Sequence, residues 1–306
     1  MKNSKKLKGI VVPLVTPLLD RASLDIEGLE KLIEYVIDGG VKGIFVLGTT
    51  GESPCLSYRL RRELIERTCR QVSGRLPVLV GITDTSFVES VNLAKYAGDK
   101  GVDYAVIAPP YYYKSDAPEL TEYLNHLLPE LPVPVYLYNM PSCTKVIIDI
   151  STVKAVADNE KVVGLKDSSA DMIYFNKLIQ VFKGRDDFGI FVGPEELLAQ
   201  AVYTGADGGV NGGANLFPKL YNELYNAVLA GNSDKVYQLQ KVVMQISMTI
   251  YSQGRHPSSY LKGLKASLKI MGICNDFIAE PFHKFRDKER QSIESSLKQL
   301  DYQKYL

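Results

Sequence analysis

Three short polar segments, each placed after an aliphatic run, hold side chains able to do chemistry: Gly48-Thr49-Thr50-Gly51-Glu52, Tyr138-Asn139-Met140-Pro141 and Gly164-Leu165-Lys166-Asp167-Ser168. Lys166 ends a run that contains Val162, Val163 and Leu165. Burying an ammonium is costly without a partner, and desolvation favours the neutral amine that attacks a carbonyl. The position equally suits a lysine salt-bridged to Asp167. Tyr138 can pass a proton beside such an amine if both side chains point inward; the alternative is a tyrosine that caps the core with its hydroxyl in water. The Gly-Thr-Thr-Gly turn offers closely approaching N–H groups and two hydroxyls, a cradle for a carboxylate or simply a turn that satisfies its own backbone.

Those segments need elements to hold them. Eight β-branched or aliphatic runs, at residues 9–15, 43–47, 77–81, 104–108, 135–138, 162–166, 188–192 and 208–210, alternate with helical patterns, the signal of repeated βα units. Most are apolar on both faces, as strands between a barrel interior and an outer helix layer must be. Leu29, Leu32, Ile33 and Val36 form one helical stripe ended by Gly39 and Gly40, and Gly98, Gly184, Gly205 and Gly231 suit later helix stops. After residue 210 the strand signals cease, and beyond the helix that closes the eighth unit three more helices are predicted. The expected fold is α/β, a (β/α)8 TIM barrel with a C-terminal helical extension. Residues 1–230 form the catalytic barrel, and residues 231–306 a helical segment packed on it. An open doubly wound sheet gives the same local signals, but no G-x-G-x-x-G opens the first unit.

In such a barrel the active site lies at the C-terminal ends of the strands, where all three polar segments fall. Gly208, Gly209, Gly212 and Gly213 resemble a phosphate-cradling loop. With no Lys or Arg beside them, close backbone packing or contact with an uncharged ligand is expected instead. Pro109-Pro110-Tyr111-Tyr112-Tyr113 reads as an aromatic part of the mouth, an oligomer contact, or both.

The 306 residues are 45% hydrophobic and 23% charged, an average globular composition that excludes a disordered chain. Thirty-six Lys and Arg against 35 Asp and Glu leave a net charge of +1, so no overall field draws nucleic acid or an anionic membrane. The basic start, Lys2, Lys5, Lys6 and Lys8, precedes too short an apolar stretch for a signal core, and a cytoplasmic protein is expected. The four cysteines, Cys55, Cys69, Cys143 and Cys274, and the three histidines are scattered, so neither a disulfide framework nor a metal site is expected.

Taken in order, the motifs resemble those of the dihydrodipicolinate synthase and N-acetylneuraminate lyase superfamily, from Ile10 to about Asn215. Gly43 to Glu52 is similar to the family's first motif; Tyr138 to Pro141, followed by Gly164 to Ser168, is similar to its second. The resemblance implies a Schiff base on Lys166, a 2-oxo acid carboxylate bound by Gly48, Thr49 and Thr50, and a proton relay of Tyr138 with Thr50. It further implies that Ser168, Gly193 and Val210 border the substrate, that Tyr112 reaches a neighbouring subunit's site, and that the assembly is a homotetramer built as a dimer of dimers. Neither metal nor organic cofactor is implied.

Two positions depart from the pattern. Cys143 stands where lysine-biosynthetic synthases carry an arginine, and an uncharged thiol cannot replace a bidentate guanidinium. Leu60 stands where Glu or Gln is usual, with only a helix-surface effect expected. Glu195 and Glu196 resemble the acidic pair with which sialic acid lyases bind sugar hydroxyls. The leading expectation is therefore a pyruvate-dependent lyase or aldolase for a 2-oxo sugar acid, of the 2-keto-3-deoxy acid or N-acetylneuraminate type. Condensation of pyruvate with aspartate semialdehyde comes second, and a non-catalytic 2-oxo acid sensor is the alternative from another class.

Overall fold

Strands that are apolar at every position can be covered on both faces, and eight such runs close here into one parallel barrel. The computed structural model describes residues 6–301 and 305, so Lys2 and Lys5 of the basic start lie outside it. The barrel strands are β1 Gly9–Pro13, β2 Gly43–Val46, β3 Val78–Gly81, β4 Tyr104–Ile107, β5 Val135–Asn139, β6 Val162–Asp167, β7 Gly189–Val192 and β8 Gly208–Val210. The ring closes where β1 pairs with β8, Gly9 opposite Gly208 and Val11 opposite Val210.

Period-two alternation divides the strand side chains between two cores. Val11, Phe45, Tyr104, Tyr136, Phe191 and Val210 fill the barrel interior, with Tyr136 edge-on to both Tyr104 and Phe191. Ile10, Ile44, Val80, Leu137 and Leu165 face outward and pack with the helices. The helix Ile26–Asp38 shows how these are built: Asp25 caps its first turn by accepting from the Gly28 N–H, and Leu29, Leu32, Ile33 and Val36 are buried. Gly40, at φ 84°, turns the chain out of it.

The glycine assignments hold at Gly184, Gly205 and Gly231, all at positive φ. Gly98 differs from expectation. It lies inside the helix Phe87–Asp99, where a Cβ would come within 2.7 Å of Pro132 Cγ, and the turn falls at Gly101 instead. Leu60 is a second correction, since it is buried in the core rather than placed on the helix surface. A small hairpin, Leu18–Asp20 with Ser23–Leu24, was not foreseen, because strands this short carry no periodic signal.

The helix Pro218–Leu229 closes the eighth unit, and Ser233–Ile246, Ser259–Ile270 and Asp287–Gln299 follow it. Among the described residues no helix is long and apolar enough to cross a membrane. Helix Ser259–Ile270 reaches the barrel mouth through Lys265, whose amine bonds to the Glu52 carboxylate at 2.5 Å with both side chains almost fully buried. Glu52 also accepts from the Ala279 N–H at 2.8 Å. The last residue of the Gly-Thr-Thr-Gly-Glu segment thus fastens the mouth loop to the C-terminal helices. Lys265→Met, which leaves a buried unpaired carboxylate, is expected to cost about 3–5 kcal/mol in urea unfolding. A Glu52→Leu/Lys265→Met double variant should recover part of that loss; a single-variant cost below about 1 kcal/mol would contradict this role.

Candidate active site

Register decides which side chains meet at the barrel mouth. Tyr138 of β5 stands opposite Lys166 of β6, and Asn139 opposite Asp167. Tyr138 and Lys166 therefore share the inward face while Asn139 and Asp167 share the outward one. The Asp167 carboxylate accepts from Asn139 Nδ2 at 2.8 Å and from the Ser169 hydroxyl at 2.9 Å, and burial pushes its carboxyl above the usual range. It is not the partner of Lys166, whose Nζ instead lies 4.2 Å from the centroid of the Tyr138 ring and 5.3 Å from that of Phe45. Of the two readings of Lys166, the salt bridge to Asp167 is the one the geometry removes.

The segment after β2 turns sharply to bring its hydroxyls in. Leu47 and Glu52 both adopt φ 58°, left-handed backbone in non-glycine residues, of the kind that concentrates at functional sites. Gly81 makes room for it, since a Cβ there would lie 2.1 Å from the Leu47 carbonyl oxygen. The N–H groups of Gly51, Glu52 and Ser53 bond back within the turn, to Gly48 and Thr49 carbonyls. Those of Thr49 and Thr50 take no backbone acceptor among the described residues. The Thr49 hydroxyl lies 3.3 Å from the Tyr138 hydroxyl, and that of Thr50 lies 3.2 Å from Tyr260. This corrects the expected relay: the threonine in contact with Tyr138 is Thr49, because successive residues of the turn point to opposite sides.

The remaining expected residues fall in two groups. Val210 borders a narrow void of about 10 Å³ on the barrel axis together with Lys166 and Phe45. Gly193 packs so closely on Ser168 that a Cβ would lie 1.9 Å from the Ser168 hydroxyl oxygen, and its carbonyl accepts from Asn211 Nδ2 at 3.0 Å. Glu195 is not presented to the mouth. Its Oε1 accepts from the Tyr221 hydroxyl at 2.6 Å and the Tyr251 hydroxyl at 2.5 Å, and its Oε2 from the Gly213 N–H at 2.8 Å. Glu196 accepts from the Ser247 hydroxyl at 2.5 Å. The glycines around β8 serve these contacts: a Cβ at Gly212 would lie 1.5 Å from the Tyr260 hydroxyl, and one at Gly213 2.0 Å from that of Tyr221. Close packing, not phosphate binding, explains them. Tyr111 borders the mouth cavity, whereas Tyr112 is 77% exposed.

A cavity of about 240 Å³ opens beside Phe45, Thr49 and Tyr138, and Met140, Cys143, Leu261 and Phe282 form its outer wall. Tyr251, Tyr260, Leu261, Lys265 and Phe282 went unnoticed in the sequence. They come from the C-terminal helices and the loop between them, and only the tertiary fold brings them to the mouth.

With this geometry in hand, the family is plain: the dihydrodipicolinate synthetase family pattern matches residues 6–300. The chain belongs to that family. It is 56% identical to a solved structure described as dihydrodipicolinate synthase from the commensal bacterium Bacteroides thetaiotaomicron, covering 97% of this chain and 99% of that one with a TM-score of 0.94. It is 30% identical to the 4-hydroxy-tetrahydrodipicolinate synthase of Methanothermobacter thermautotrophicus over 90% of this chain and 98% of that protein. A prophage protein of E. coli K12 from the same family, solved in complex with pyruvate, is 26% identical with a TM-score of 0.91, covering 96% of this chain and 99% of that one.

Burial, with the nearby Glu196 charge adding to it, pushes the Glu195 carboxyl up to about 7. Because the folded value lies above that of the unfolded chain, the folded state holds the extra proton between roughly pH 4.5 and 7. This stabilisation is complete below that window and is lost as pH rises through 7. The stability difference between wild type and Glu195→Gln should fall with a slope approaching about 1.4 kcal/mol per pH unit inside the window and flatten above it. Chemical denaturation at a series of pH values measures it, and a pH-independent difference would count against a protonated Glu195.

Proposed function

We propose that the chain is a class I lyase or aldolase in which Lys166 carries a pyruvate-like 2-oxo acid as an imine. The observation behind this is the inward pair: the Lys166 amine lies over the Tyr138 ring, the Tyr138 hydroxyl meets Thr49, and the neighbouring Asp167 is turned away and occupied. The amine attacks the 2-oxo carbon and water leaves, giving a protonated imine. In cleavage, Tyr138 takes the proton of the substrate hydroxyl, the carbon–carbon bond electrons move into the imine to give an enamine, and an aldehyde departs. Protonation of the enamine and hydrolysis release pyruvate and the free lysine. Thr49 and Thr50, whose N–H groups take no backbone acceptor among the described residues, suit the carboxylate, Val210 borders the axial void beside Lys166, and Ser168 and Gly193, packed on each other, are assigned to the same substrate. Tyr112, exposed in the single chain, is assigned to the site of a second copy of the chain in a tetramer, and its exposure supports that assignment.

The second substrate is a separate matter. The sugar-acid expectation leaned on Glu195 and Glu196, and their carboxylates are already bonded within the protein. The names of the relatives favour the synthase reading, and Cys143 weakens it by leaving the outer wall without a guanidinium. Pyruvate with aspartate semialdehyde is therefore expected to turn over slowly, and robust turnover at ordinary substrate levels would establish the synthase reading instead.

Exchange of pyruvate methyl protons in D2O tests the imine and the relay without any second substrate. Wild-type protein should exchange them, and Lys166→Ala should not. Tyr138→Phe should slow exchange by about 10² to 10⁴-fold while leaving the fold intact. Tyr138→Phe within a factor of about two of wild type would remove Tyr138 from the mechanism, and no exchange by the wild type would favour a non-catalytic sensor.

A further inference from the structure

The barrel mouth has two sides, and only one can receive the distal part of a substrate. Over β7 and β8, Tyr260 reaches Thr50 and lies tight against Gly212, and the Tyr251 ring stands edge-on to it with centroids 4.9 Å apart. Behind these rings Glu195 is held by two tyrosine hydroxyls and a backbone N–H and is shut away from the mouth. A polyol directed this way meets aromatic rings, with the buried acid out of its reach behind them. Over β2 to β5, by contrast, lies the open cavity of about 240 Å³.

At the inner end of this cavity stand the hydroxyls of Thr49 and Tyr138, bonded to each other, with those of Ser53 and Tyr111 beside them, and several of the other polar groups along it are engaged elsewhere. Glu52 is bonded to Lys265 and to the Ala279 N–H. The Thr83 hydroxyl accepts from the Ala108 N–H at 2.9 Å, and the Thr144 hydroxyl is bonded to the carbonyls of Met140 and Val146. Arg61, a buried cation at the foot of the same region, is bonded to Asp84 and to the Leu56 carbonyl. Apart from those hydroxyls, what faces the open space is a thioether, thiols, isobutyl groups and aromatic rings, with no cation among the described residues there. The outer wall of Met140, Cys143, Leu261 and Phe282 offers a carboxylate no cation and a polyol chain few partners, whereas each buried methylene strengthens binding by on the order of fourfold. The volume is below the roughly 300–1,000 Å³ of pockets for drug-sized ligands, enough for a short chain or a single ring.

We infer that the second substrate is an uncharged aldehyde with an apolar chain or ring, received between Met140, Cys143, Leu261 and Phe282. This inference rests on the imine reading above. The enamine carbon bonds to the aldehyde carbon, the aldehyde oxygen takes a proton from Tyr138, and water hydrolyses the imine to give a 4-hydroxy-2-oxo acid and free Lys166.

The test supplies the full chain with pyruvate and, separately, benzaldehyde, a butanal-to-hexanal series, erythrose and aspartate semialdehyde, with kcat/KM measured for each. The apolar aldehydes should exceed erythrose and aspartate semialdehyde by about 10- to 100-fold, and the aliphatic series should rise with each methylene. Leu261→Asn, or Phe282→Ser should the first not fold, should raise KM for benzaldehyde by at least about tenfold, and Cys143→Arg should shift preference towards aspartate semialdehyde. Imine trapping with pyruvate alone, run alongside, separates the two claims. If the imine forms but erythrose or aspartate semialdehyde is preferred, if all aldehydes react alike, or if none reacts, the apolar assignment is overturned and the imine reading stands. If no imine forms, both fall.

Discussion

The pairing of β5 with β6 is the constraint on which the site depends. A parallel ladder with Tyr138 beside Lys166 and Asn139 beside Asp167 sends an amine and a phenol inward and an amide and a carboxylate outward. A slip of one residue would exchange the pairs, placing the carboxylate in the barrel and the amine among the helices. Asn139 then does two jobs from the outward face. Its amide nitrogen donates to Asp167, and its carbonyl accepts from the Ile148 N–H at 3.0 Å, so the acid is held in place and the chain after β5 is anchored. With the adjacent acid tied down, the lysine amine is left against the faces of aromatic rings.

Around that pair the mouth is shaped by the C-terminal helices. Lys265 holds the Thr-Thr loop through Glu52, Tyr260 touches Thr50, and Leu261, on the same helix, borders the cavity. Tyr251 lies in a π-helical turn, Ser247–Tyr251, which re-aims the chain so that its hydroxyl meets Glu195. The helices beyond the barrel are thus part of the site's wall and floor. Their aromatic residues close the side on which an acidic pair would otherwise meet a polyol.

Most of the barrel was legible in the sequence because its strands are short, apolar on both faces and separated by helices with clear stripes. The runs at 104–108 and 162–166 match β4 and β6 to within one residue. The strand-end positions of Lys166 and Tyr138 allowed an inward placement, but which face each takes depends on the register of β5 and β6. What could not be read was anything dependent on a partner distant in sequence. By residue type Gly98 suits a helix stop, but it makes room for Pro132, and Glu195 suits a sugar ligand, but Tyr221 and Tyr251 enclose it. Which of Thr49 and Thr50 meets Tyr138 depends on the left-handed turn at Leu47, and no pattern of residue types records that turn.

Chemical trapping tests the proposed nucleophilic role of Lys166 most directly. Pyruvate and borohydride added to the protein should give a stable secondary amine, detected after digestion as a mass increase of one reduced pyruvate on the peptide that contains Lys166. The adduct should be absent from Lys166→Ala and Lys166→Arg. An adduct on another lysine, or catalysis of methyl-proton exchange with no adduct at all, would contradict the Schiff-base mechanism.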